Sequence, residues 1–268
     1  MPDPARETDL HIHTHHSYCA SSEMTLENIA KRAVEAGLAV VGLSDHAWLD
    51  LERGCRPAIA HLLETRKELA ARDWPVTFML GVEADCAPGR GAAGGDDIKL
   101  LEYSIGSYHF AEVRENLVPP PGTPEKLAGM LAEGFRSVVE STHITLAGHP
   151  LHIPRRIYRS MTDGMFDHLA ETYRMAIELS APHLATAASR GIAIEINSHA
   201  LFPRIRAAML PFFTSARNAG CRFAVSSDAH RPGEVGRGRA QTLEYARSAG
   251  ITPGLLLDAG SIQRHAGR

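Results

Sequence analysis

The sequence predicts an α/β barrel, and three observations carry that expectation. Short apolar runs alternate with helical stretches along the chain, the pattern of βα units wound around a parallel sheet. About seven strands in that alternation over 268 residues suit a barrel better than an open sheet. No Gly-x-Gly-x-x-Gly follows the first strand, which argues against a dinucleotide-binding fold.

The strands are expected over residues 8–13, 38–44, 76–83, 103–108, 144–148, 192–196 and 222–227. Between the first two, residues 25–37 read as a helix: Thr25 can cap it, Glu27 and Asn28 fill its first turn, and Gly37 stops it. Further helices are expected over 56–71, 124–139, 163–190 and 205–219, the last ended by Gly220 just before a strand. Residues 88–97 are rich in glycine and read as a mobile loop. Residues 114–124 contain Pro119-Pro120-Pro121 and read as a stiff, extended surface segment. No internal repeat or composition break divides the chain, so residues 1–268 are expected to form a single domain.

Bulk properties exclude several function classes. Hydrophobic residues at 44% and charged residues at 22% suit a soluble protein with a large core. A net charge of -3 does not announce a nucleic-acid or membrane partner. No apolar run approaches the ~20 residues that span a bilayer, and the N-terminus lacks the marks of a signal peptide. Cys19, Cys55, Cys86 and Cys221 are scattered without a Cys-x-x-Cys pair, so a reducing cytoplasm is the expected compartment. Histidine is the outlier, with 15 residues.

Reactive groups in a parallel barrel sit at the C-terminal ends of the strands. Those ends here contain His11 and His13, Asp45-His46, Glu83, His109, His149, Glu195 with Asn197, and Asp228 with His230. On a strand, His11 and His13 point the same way and can share one ion; Asp228 and His230 repeat the spacing. One histidine at a strand end is more often a hydrogen-bonded structural residue than a ligand. Seven strands ending in potential ligands reverse that balance. Imidazole plus carboxylate without paired sulfur suits Zn, Mn or Fe in an open catalytic site.

The set Asp9-Leu10-His11-x-His13, Asp45-His46, Glu83, His109, His149 and Asp228-x-His230 resembles the polymerase-and-histidinol-phosphatase (PHP) superfamily, from about Asp9 to about Gly236. The resemblance implies a distorted (β/α)7 TIM-like barrel, with a core over about 9–236 and a C-terminal helical segment over 237–268. It also implies two or three divalent metal ions (Zn, Mn or Fe). Carried over, His11, His13, Glu83 and Asp228 hold one ion, Glu83 bridges to a second completed by His109 and His149, and His46 and His230 hold a third. Many family members complete the third ion with an Asp or His from the loop after the first strand. Here that loop reads Thr14-His15-His16-Ser17-Tyr18-Cys19. Cys19 stands about where the ligand belongs, with His15 and His16 as competitors and small-residue packing as its plain alternative.

Adjacent divalent ions lower the pKa of a bridging water and stabilise charge on a phosphoryl group, so hydrolysis of a small phosphomonoester by a metal-bridging hydroxide is the expected chemistry. Arg155, Arg156 and Arg231 are candidates for phosphate contacts, weighed against plain surface charge. Asp9 and Asp45 are candidates to orient a ligand histidine, and Asp45 also to shuttle a proton. Asp228 and His230 belong to the catalytic set as well as to the ligands, and His199 is a candidate to reach the substrate, with a plain surface histidine as its equal alternative. His61, His143, His168, His183 and His265 read as structural or exposed.

Glu195-Ile196-Asn197-Ser198 and the run from Ser227 to Gly236 resemble histidinol phosphatases, which makes that substrate the leading specific expectation. Two rival readings are a phosphodiesterase or nuclease of the same superfamily and a non-catalytic metal-binding module. Against the first, the chain has no basic stripe or aromatic stacking surface; against the second, its ligands are nearly complete. The expected partner is a small phosphorylated molecule, not nucleic acid or membrane, and a homo-oligomer is compatible with the sequence.

Overall fold

The first strand, β1 (Thr8–Ile12), is buried along its whole length and pairs in parallel with β2 (Val40–Leu43). The computed structural model describes residues 7–49, 55–116, 121–154, 157, 168–198, 203–258 and 260. Two residues after β2 the chain resumes as β3 (His46–Ala47). In the same way β4 (Thr77–Leu80) resumes as β5 (Glu83–Ala87). β2 pairs with β4 and β3 with β5, and the ladder runs on in parallel through β7 (Ile105–Ser107), β8 (Leu146–Ala147), β9 (Ala193–Asn197) and β10 (Phe223–Ser226). A parallel bridge between Ile12 and Ala229 brings the last strand back to the first. There His13 N donates to Ala229 O at 3.0 Å and Ala229 N to His11 O at 3.2 Å. With β2/β3 and β4/β5 each counted as one broken strand, the result is the expected distorted seven-stranded barrel.

Two cores follow from strand alternation. Leu10, Met79, Tyr103, Ile105, Leu146, Ala193 and Ala224 fill the barrel interior. Outside, Val41, Leu43, Ile194, Ile196, Phe223 and Val225 join the larger core beneath the helices. Tyr103 occupies the interior where Gly42 and Gly81 lack side chains: a Cβ on either would meet its ring or hydroxyl at 2.3 Å. Its hydroxyl donates to Leu10 O at 2.7 Å.

The interior position of Leu10 and the outer one of Ile12 are separated by a slip in register. Asp9 pairs with Val41 and Ile12 with Leu43, so three steps of β1 oppose two of β2. Such a bulge re-aims side chains. Here it lets His11 and His13 face the centre while Ile12 stays in the outer core.

The helices sit as the sequence implies. α1 (Leu26–Glu35) is capped by Thr25, whose side chain accepts from Asn28 N, and buries Leu26, Ile29, Ala30 and Ala33 on one face. α2 spans Cys55–Ala70. α3 (Ala111–Arg114) follows β7 directly, and α4 (Pro124–Glu140) starts with Thr123 as cap and proline in its first turn. α5 (Leu169–Ser189) packs on α4 and on α6 (Pro203–Asn218); α7 is Arg239–Ser248. No helix among the described residues is long and apolar enough to cross a membrane.

Residues 88–97 depart from the expected mobile loop. β5 turns back into β6 (Gly91–Ala92) as an antiparallel hairpin, followed by a 3-10 helix at Gly95–Leu100. The glycines serve backbone geometry: Gly89, Gly91, Gly94 and Gly95 all have positive φ, where a side chain is disfavoured. In the stretch expected to be extended, Arg114 ends α3, Pro121 is buried, and 117–120 lie outside the described residues.

Candidate metal centre

The broken strands and the bulge aim one set of side chains at a common point. His11 Nε2 lies 3.4 Å from both Glu83 Oε2 and Asp228 Oδ1. His13 Nε2 lies 3.5 Å from Glu83 Oε2 and 3.2 Å from Asp228 Oδ1. A tetrahedral site with ligand bonds of about 2.0–2.1 Å has ligand–ligand edges of about 3.3–3.4 Å. These four edges therefore have the dimensions of a cage around one small divalent cation. His11 Nε2 is buried without a hydrogen-bond partner among the described residues, as a group left for a cation would be.

Glu83 faces two groups at once. Its Oε1 is 2.9 Å from His149 Nε2 and 3.3 Å from His109 Nε2, while Oε2 is 2.7 Å from His46 Nδ1. A further trio, His13, His46 and His230, brings ligand atoms within 4.8 Å of one another.

Second partners fix the rings. His11 Nδ1 donates to Glu195 Oε1 at 2.7 Å, His230 Nδ1 to Asp228 O at 2.9 Å, and His109 Nδ1 to Asp85 Oδ1 at 3.3 Å. His13 Nδ1 lies 3.4 Å from Ser17 Oγ, whose hydroxyl donates to Asp45 Oδ1 at 2.7 Å. With Nδ1 so engaged, Nε2 is the nitrogen left to face the cluster.

The electrostatics also ask for cations. Burial works against protonating His11, but Glu195, Asp228 and Glu83 outweigh it and hold its pKa well above the usual value. Burial likewise disfavours charge on His109, yet Glu83 and Asp85 raise it to about 9. Burial opposes ionisation of Glu83, but His46, His11 and His109 keep its carboxyl well below the usual range. Asp228 is held low in the same manner by His11 and His13. His13, buried and beside His46 and His230, falls to about 3 and stays neutral, as a ligand must.

The backbone is bent to the same end. Asp228 has φ +56° and His149 φ +21°, in the left-handed region that non-glycine residues avoid. The side chains of His11 and His13 are fully covered, whereas His230 is 25% exposed, so the centre opens on the His230 side.

Other predicted site residues fall differently. Asp45 accepts from Thr14 N, Thr14 Oγ1 and Ser17 Oγ, so it organises the loop after β1 and, among the described residues, reaches His13 through Ser17. Asp9 touches no ligand ring. Its carboxylate takes Ser227 N at 3.0 Å and Gly236 N at 3.1 Å, fixing the backbone around Asp228. Cys19, His15 and His16 are exposed and belong to none of the ligand groups; His13 stands in their place beside His46 and His230. His16 instead stacks on His61 with centroids 4.7 Å apart. Arg231 has extended backbone and lines a surface groove with Lys31, Arg32 and Arg237. Arg155, Arg156 and His199 lie outside the described residues.

Sequence reasoning missed Asp85, Arg114, Ser17 and Trp48. Asp85 had a signal, since Glu83-Ala84-Asp85 repeats the alternating pair on one strand; Arg114 had none.

Fold and site together define a parallel α/β barrel with a histidine–carboxylate centre fit for divalent metal at the C-terminal strand ends. The family model described as PHP domain matches residues 9–199, and the chain belongs to that family. A relative described as a probable histidinol-phosphatase, from Deinococcus radiodurans, is 27% identical over 261 residues, covering 90% of this chain and 93% of the relative. Two solved structures share the fold. The histidinol phosphate phosphatase of Lactococcus lactis, complexed with zinc, L-histidinol and phosphate, has a TM-score of 0.61 at 15% identity, covering 92% of this chain and 95% of that one. The putative histidinol phosphatase of Listeria monocytogenes has a TM-score of 0.58 at 16% identity, covering 87% and 99%.

Proposed function

We propose that this protein is a metal-dependent phosphatase that hydrolyses a small phosphomonoester, with histidinol phosphate as the leading substrate. One observation carries the reading: the two oxygens of Glu83 face two different groups of imidazoles, the arrangement a carboxylate needs to bridge two cations. In this reading His11, His13, Glu83 and Asp228 hold one ion, and Glu83, His109 and His149 a second. His46 and His230 hold a third. Divalent ions there supply Lewis acidity toward phosphoryl oxygens and an activated water.

The chain's own residues do the remaining work. Glu195, Asp85 and Ser17 set the imidazole tautomers, so ligand nitrogens face inward before any substrate arrives. The covered side chains of His11, His13 and Glu83 form the floor, and the part-exposed His230 and His109 form the mouth through which a phosphate enters. The names of the relatives support histidinol phosphate as substrate.

The test is phosphate release from a panel of phosphorylated metabolites, histidinol phosphate included, by protein stripped with chelator and reloaded with Zn, Mn or Fe. Release only after reloading, with histidinol phosphate among the best substrates, is the expected result. Cleavage of diesters with no monoester turned over would overturn the reading.

A further inference from the structure

Behind His109, on the side away from Glu83, lies a buried charged pair that the hydrolytic reading does not use. Asp85 stands two residues after Glu83 on β5, and its side chain is 1% exposed. Its Oδ1 is 3.3 Å from His109 Nδ1, and its Oδ2 accepts from Arg114 Nη2. Arg114, the last residue of α3, has a side chain only 9% exposed, and its guanidinium carbon lies 4.3 Å from the centre of the Trp48 ring. The Trp48 ring centroid is 4.3 Å from that of His46 and 5.1 Å from that of His109.

Burying a guanidinium is costly, and an ion pair of this kind is seldom a net gain over apolar packing. This one is not even fully satisfied: Arg114 Nε and Nη1 are buried without a hydrogen-bond partner among the described residues. Stability alone is a poor reason for it. Its surroundings offer another. One planar cation reaches two imidazoles of the His46–Glu83–His109 group by separate routes, through Asp85 to His109 and through the Trp48 face to His46.

We propose that Arg114 is a positioning residue that sets the metal affinity of this half of the centre. The inference rests on the metal-centre reading above. A carboxylate accepting the Nδ1 proton of a ligand histidine fixes the ring and makes its Nε2 a better donor. Arg114 holds Asp85 in the orientation that does so, and its flat face keeps Trp48 packed against His46. Lysine could retain the charge on Asp85 but would lose the fork and the stacking surface. His11 and His13 are oriented by Glu195 and Ser17, neither of which touches Arg114, so the effect stays in one half of the centre.

The test uses the full chain loaded with zinc and equilibrated against increasing chelator, with bound metal counted by elemental analysis. Arg114→Gln should release the ions that His109 and His46 help hold about 10–100-fold more readily than wild type while the ion at His11, His13 and Asp228 is retained. Arg114→Lys should recover part of the loss. Trp48→Phe, which keeps the Asp85–Arg114 pair, should loosen the ion that His46 helps hold, leave the ion at His11, His13 and Asp228 in place, and serves if Arg114→Gln does not fold. Wild-type retention of every ion in Arg114→Lys and Trp48→Phe would overturn the inference. So would simultaneous loss of all ions together with a lower melting temperature of the metal-free variants. Wild-type protein that takes up no metal would overturn the hydrolytic reading and this inference with it. Normal wild-type loading with an indifferent Arg114→Gln would overturn this inference alone.

Discussion

Glu195 Oε1 lies 2.7 Å from His11 Nδ1, and the other carboxylate oxygen accepts from the backbone N–H of His149. One buried side chain on β9 thus fixes residues from two proposed metal positions. Ser226 Oγ also donates to it, as does Asn197 Nδ2 at 3.2 Å. Glu195→Gln should therefore weaken metal binding by about 10–100-fold and lower kcat, with little change in KM at saturating metal. Glu195→Ala strands several buried donors and should also cost about 1–3 kcal/mol of stability. Metal titration and denaturant unfolding of the two variants check this.

Glu83 is shared, so its loss should be worse than the loss of any single ligand. Glu83→Ala should abolish turnover and reduce bound metal by more than one equivalent. His61→Ala removes a half-buried stacking partner of His16 outside the ligand groups and should change neither quantity. Elemental analysis of the two purified variants separates the outcomes.

The gathering of candidate ligands was partly legible because a strand shows its face in the sequence: alternation places His11 with His13, whereas Asp228 lies beyond β10 with φ +56° and shares no ligand group with His230. Strand ends with their helices were legible for the same reason, down to the Thr25 cap. Two things were not. The bulge in β1 depends on pairing with β2, so no local pattern marks that Asp9 will leave the centre and grip Ser227 and Gly236. The roles of Asp45 and Arg114 depend on which loop packs on which. Asp45 adjoins a ligand in sequence but is spent on Thr14 and Ser17, while Arg114 adjoins none and packs behind two.

Metal should stabilise the fold. The centre packs Glu83, Asp228, Glu195 and Asp85 among imidazoles at low exposure, and cations binding only the native state add free energy by mass action. At 100 times Kd that is about 2.7 kcal/mol for one site. For a chain of this size it corresponds to a melting temperature higher by about 5–10 °C. Calorimetry of reloaded and chelator-treated protein measures the difference, and an unchanged melting temperature would contradict the assignment.

Loading should also release protons. His109 is raised to about 9 and His11 well above its ordinary value, so both carry protons in metal-free protein at pH 7 that a cation must displace. Apparent affinity should rise with pH, and the His109 share of the proton release should fade once pH exceeds about 9. The sign for folding runs the same way: both raised values stabilise the metal-free fold below about pH 6.5. That contribution fades as pH climbs through the folded-state values. Zinc titrations by calorimetry in two buffers of different ionisation enthalpy count the protons.

Cys19 is the sharpest local test, because sequence position and geometry point different ways. The loop after β1 offers a thiol where related proteins place a ligand, but the structure brings His13, His46 and His230 together and leaves Cys19 outside every ligand group. The His13 and His230 rings are 4.2 Å apart and those of His13 and His46 4.4 Å. Cys19 is exposed as a residue, yet its thiol is desolvated at the crowded mouth, and with the negative charge of Glu83 and Asp228 its pKa is pushed up to about 12. Cys19→Ser should accordingly keep the number of bound ions and their affinities. His230→Ala should lose one ion selectively and leave the cage around His11, Glu83 and Asp228 in place. Selective loss of one ion in Cys19→Ser would restore the thiolate as the missing ligand and bias that position toward zinc over manganese.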